Sequence, residues 1–118
     1  MLLSDQMEEE QIEKMIKEYE ELQIQLQNLS IQKMQFEQQK EEYKEAEKIL
    51  QEASGKVYEE LGGLVIESSK EKAATSLKEK IESAEMRLEI VNKQLADITK
   101  KEQSLREKIS NELQAKQQ

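Results

Sequence analysis

The sequence predicts a mainly α protein: an antiparallel two-helix coiled coil, interrupted once near its midpoint by a β-hairpin. Three observations lead there. Apolar residues recur at alternating steps of three and four over two long stretches, the heptad signature of paired helices. The chain has no Pro, and its Gly residues are confined to positions 55, 62 and 63, so nothing breaks a helix on either side. Between the two stretches, VYEELGGLVIES (57–68) sets two β-prone runs around Gly-Gly, a hairpin signal.

The first helix is expected over about residues 6–53. One register holds Met15, Leu22, Leu29, Phe36, Tyr43 and Leu50 as d positions. The companion a register reads Ile12, Tyr19 and Leu26, then turns polar at Lys33, Lys40 and Glu47. At ~1.5 Å per residue this is a rod on the order of 70 Å long. Asp5 with Glu8 offers a weak N-terminal cap. The second helix is expected over about residues 69–116. Leu77, Ala84, Val91, Ile98 and Leu105 fill one register; Ile81, Leu88, Leu95 and Ile109 fill the other, with Glu102 the exception. Ser68 and Glu71 have capping-box spacing ahead of it.

Folding the chain about Gly62 and Gly63 pairs residues whose numbers add to about 125. Leu50 then falls near Ala74 and Leu77, Tyr43 near Ile81 and Ala84, and Phe36 near Leu88 and Val91. Leu29 falls near Leu95 and Ile98, Leu22 near Glu102 and Leu105, and Met15 near Ile109. A single domain over 1–118 follows. A parallel dimer of one unbroken helix is disfavoured, because each interior Gly would cost roughly 1 kcal/mol relative to Ala.

With a type I′ turn, Leu61 opposes Leu64, Glu60 opposes Val65 and Glu59 opposes Ile66. One face then carries Val57, Leu61, Leu64 and Ile66, and the other Tyr58, Glu60, Val65 and Glu67. A lone two-stranded hairpin is marginal in water. Open edges and an uncovered apolar face are liabilities unless other chains supply strands and core. The hairpin therefore predicts oligomerisation through β-strands, with Val57, Tyr58, Leu61, Gly62, Gly63, Leu64, Val65 and Ile66 as the assembly residues. A plain structured bend is the alternative; Leu64, Val65 and Ile66 in a row are more than a bend needs.

Composition excludes most chemistry. The chain has no His and no Cys, hence no imidazole base, thiolate or sulfur-ligated zinc. SIQK (30–33) matches a Ser-x-x-Lys pattern but has no pocket or oxyanion hole on a two-helix rod. Glu8 to Glu10 read as a solvated acidic face, and Gly62-Gly63 lacks the Gly-Lys-Ser/Thr of a phosphate loop. The expectation is no enzyme, no metal and no cofactor. A net charge of −8 works against both phosphate backbones and anionic membranes. The start MLL is too short for a signal sequence, no apolar run approaches ~20 residues, and a Cys-free chain suits a reducing interior. A cytoplasmic location is expected.

Helix, single hairpin and helix of equal length resemble the beta class of archaeal-type prefoldin subunits, an ATP-independent chaperone family. The specific part is VYEELGGLVIESSKEKA followed by LKEKIE, similar to that family's Val-Tyr, Gly-containing turn, aliphatic strand and Lys-rich helix start. Alpha-type subunits carry two hairpins, and this chain has room for one. The resemblance implies a hetero-oligomer of two alpha-type and four beta-type subunits, their hairpins closing an intersubunit β-barrel. It implies capture of unfolded client polypeptides at the coil tips and delivery to a group II chaperonin. The tips would be the first ~20 and last ~15 residues. Their candidate client-binding residues are Leu2, Leu3, Met7, Ile12, Met15, Ile16, Ile109 and Leu113, with Ile24, Ile31 and Met34 extending the surface. Off-seam apolar groups and flexible Met suit an adaptable surface, though the same residues could merely finish the coil. The competing reading is a structural or tethering coiled-coil subunit that binds no client.

Overall fold

A computed structural model describes the backbone of residues 2–117 and the side chains of residues 8–116. Its element order is α1 (Leu2–Glu52), β1 (Val57–Leu61), β2 (Leu64–Ser68) and α2 (Lys70–Gln117). The chain divides into two compact units. Unit 1 takes residues 1–32 and 91–118, and unit 2 takes residues 33–90. No helix among the described residues is long and apolar enough to cross a membrane.

In unit 1 the two helix ends run antiparallel. Lys116 Nζ lies 3.5 Å from Glu9 Oε1, and Gln23 Nε2 donates to Glu102 Oε1 at 3.2 Å. Both pairs have residue numbers adding to 125, the relation the heptads predict. Ile12 and Val91 are buried, and Met15, Tyr19, Leu22, Leu26, Leu29, Leu95, Ile98, Leu105 and Ile109 are half-buried. Glu102 occupies a seam position and is only 7% exposed. Burial of a carboxylate is costly unless it is bonded, and Gln23 and Arg106 (3.7 Å) supply that compensation.

Unit 2 follows the same relation. Lys40 Nζ and Glu85 Oε1 are 3.4 Å apart, again a pair adding to 125. Lys80 lies over the Tyr43 ring and Arg87 over the Phe36 ring, each 5.8 Å from the centroid, within cation–π range. Ala73, Ile81 and Ala84 are buried here, whereas Lys33, Lys40 and Glu47 are half-buried at the polar a positions. Small residues on α2 let the larger α1 side chains lie across them, as knobs-into-holes packing requires.

The caps differ from expectation. Both Asp5 and Glu8 lie inside α1, which begins at Leu2, so no cap forms there. At α2 the cap is Ser69, one residue later than the capping box predicts: the Lys72 amide donates to Ser69 Oγ at 3.1 Å. Ser68 is unavailable because it pairs with Val57 in the ladder and its hydroxyl donates to Glu59 Oε2 at 2.7 Å. Glu71 sits in the first turn, where a negative charge complements the helix dipole.

Candidate functional site

The hairpin is built from the turn outward. Gly62 and Gly63 have φ of 56° and 85°, the left-handed pair that a type I′ turn needs and that Gly adopts without Cβ strain. The strands pair antiparallel in the predicted register: Leu61 with Leu64, Glu60 with Val65 and Glu59 with Ile66. Period-two alternation then places Val57, Leu61, Leu64 and Ile66 on one face. Glu59 and Ser68 share that face and satisfy each other through their hydrogen bond. Tyr58, Glu60, Val65 and Glu67 take the opposite face, with Lys56 Nζ 3.8 Å from Glu67 Oε1.

Cover is uneven along the ribbon. Val57 and Ser68 at its base, and Glu59 at its middle, are half-buried. Leu64 and Val65, nearest the turn, are 67% and 71% exposed, Ile66 opposite Glu59 is 46% exposed, and Tyr58 and Leu61 are also exposed. Both faces of the ribbon therefore present aliphatic surface, along with two unpaired strand edges. The base is fixed by a contact invisible in the heptad pattern: Lys70 Nζ donates to the carbonyls of Gln51 and Ala53 at 2.8 and 3.3 Å. The Gln51 carbonyl lies in the last turn of α1 and that of Ala53 just beyond it, where carbonyls lack helical partners, so a cation there also complements the dipole.

At the helix ends the candidate residues separate into three groups. Leu2, Leu3 and Met7 lie outside the residues whose side chains are described. Ile12 is buried, and Met15 and Ile109 are half-buried, all three within the chain's own seam. Ile16 and Leu113 are exposed beside it. Ile24, Ile31 and Met34 are exposed on the outer side of α1. Ile49, Met86 and Ile90 are exposed too and escaped the sequence reading. Their signal was present: all three fall outside both heptad registers.

Comparison with known proteins bears on the whole arrangement. Residues 13–116 match the Prefoldin subunit family. Over 54 residues the chain is 43% identical to prefoldin subunit beta from Pyrococcus horikoshii and to the same subunit from Pyrococcus abyssi. That alignment covers 46% of this chain and spans about half the length of those curated relatives, 46% in each case. The crystal structure of the prefoldin beta subunit from Thermococcus strain KS-1 superposes with a TM-score of 0.79 at 31% identity, over 86% of this chain and 90% of that one. The beta2 subunit of the same strain shares the fold, with a TM-score of 0.69 at 20% identity, over 75% of this chain and 97% of that one. With the match running through both helices and the hairpin between them, the chain belongs to the prefoldin subunit family, and its likeness is to the beta class.

Proposed function

We propose that this protein is one subunit of an ATP-independent chaperone assembly. It holds non-native polypeptides at its helix ends and passes them to a group II chaperonin, and no catalysis is involved. Its hairpin joins those of alpha-type subunits and of further copies of itself, two alpha to four beta, in an intersubunit β-barrel. The assembly works in the cytoplasm. Residues 1–118 act as one domain in it.

The observation that carries the reading is the ribbon from Val57 to Ser68. It leaves Leu61, Leu64, Val65 and Ile66 exposed although all four are aliphatic and lie in strands. Strand addition by other chains removes open edges and apolar surface in one step. A tethering coil needs no such ribbon at its bend. Exposed Ile16 and Leu113 support the client-holding half of the proposal, being aliphatic groups that the seam leaves uncovered.

Light scattering tests it directly. A thermally unfolded test protein is followed with and without the assembly formed by this chain and an alpha-type partner, in the absence of nucleotide. Suppression of aggregation at near-stoichiometric ratio is expected. Unchanged scattering, with the assembly intact by native mass spectrometry, would leave the tethering function standing instead.

A further inference from the structure

Unit 1 contains a groove of about 530 Å³ beside the seam, floored by Leu22 of α1 and Leu105 of α2. α2 lines it with Lys100, Lys101 and Lys108, and α1 with Glu18 and Glu21. Although both signs line the same groove, none of these five side chains makes an ion pair or hydrogen bond among the described residues. With three ammonium groups against two carboxylates, the lining is net positive in a chain of net charge −8. A second groove, of about 350 Å³, shares Gln25 with the first; its walls are the amides Asn28, Gln32 and Gln94, and its floor is Leu29 and Ile98.

The two grooves differ in what they can recognise. Side-chain amides offer donor and acceptor together, which suits the backbone of any extended polypeptide irrespective of sequence. Lysines are selective by sign. Lys101 and Lys108 are seven residues apart, so their helix positions are separated by ~10 Å. That spacing is met by carboxylates seven apart on one face of a helical client segment. We propose that the Leu22–Leu105 groove receives client segments carrying apolar side chains with carboxylates along one edge, so that acid-flanked apolar stretches are held in preference to base-flanked ones. The proposal rests on the client-holding function above and adds a charge preference to it. The apolar floor supplies most of the contact, while the lysines orient the segment and, being exposed, act in a salt-dependent way.

Three fluorescein-labelled peptides of about 16 residues test it, with Leu every third or fourth position and Glu, Gln or Lys at the flanks. Anisotropy is measured on the full assembly. At low salt the Glu-flanked peptide is expected to bind about three- to tenfold more tightly than the Lys-flanked one. The gap should close at about 0.5 M salt. In the variant Lys100→Gln/Lys101→Gln/Lys108→Gln the gap should disappear while the Gln-flanked peptide binds as before. Equal binding of the three peptides, the reverse order, or a preference that survives the triple variant would each overturn the inference. Aggregation suppression, measured on the same preparations, separates the two levels. If suppression persists while no peptide discriminates, only the charge preference fails. If suppression is absent, client holding fails with it.

Discussion

Leu64, Val65 and Ile66 in the hairpin and Ile81, Ala84 and Val91 in α2 are all aliphatic, yet the first three lie open and the second three are buried. The difference is one of periodicity. On α2 the apolar residues return every three or four positions and meet a partner helix supplied by the same chain. On β2 they are consecutive, so they face both sides of a ribbon that has only one neighbouring strand. A consecutive run of this kind belongs to a strand covered on both faces, a covering that the proposed assembly would supply. The helices thus carry contacts the chain satisfies alone, whereas the hairpin leaves its aliphatic surface and strand edges uncovered.

That contrast can be broken from either side. The largest effect is expected from Leu64→Glu/Ile66→Glu, which places charges where strands of other chains would pack. Oligomers should dissociate in analytical ultracentrifugation while far-UV helicity stays within about a tenth of wild type. An assembled double variant would remove the hairpin's proposed role. Ile81→Ala acts on the opposite side, opening the seam of unit 2 at a cost of about 2–3 kcal/mol, near the lower end for buried aliphatics because the two-helix core is thin. It should lower the urea midpoint of the helices and leave the subunit count unchanged. The smallest effect is expected from Ser69→Ala, which deletes the α2 cap for about 1 kcal/mol. Amide exchange should quicken at Lys72 and its neighbours, with the seam of unit 1 unaffected.

How much of this was legible beforehand follows the same division. Period alone identified the seam: every residue in the two expected registers of each helix is at least half-covered, including the polar members Lys33, Lys40 and Glu47 and the buried Glu102. The ladder register was legible because a two-residue loop at Gly62-Gly63, where both residues can take positive φ, sets Leu61 opposite Leu64. Ser68 was misread because Ser68 and Ser69 are chemically alike; only the extent of β2 decides which hydroxyl remains free to cap. Lys70 gave no signal, since its reach to Gln51 and Ala53 depends on how the ends of the hairpin close on each other. The groove over Leu22 and Leu105 was half legible. Their proximity follows from the heptads, but the flanking lysines become a cluster only once the helices are set side by side.

The Lys70 ammonium has one more implication. By bridging from the first residue of α2 to the last carbonyls of α1, it fastens together the two stems from which the ribbon emerges. Whatever lies beyond that staple can change in length or side chains with little disturbance to the paired helices. On the proposed function, mating specificity and grip would therefore diverge independently, one rewritten in a dozen or so residues past the staple, the other along the rest of the polypeptide.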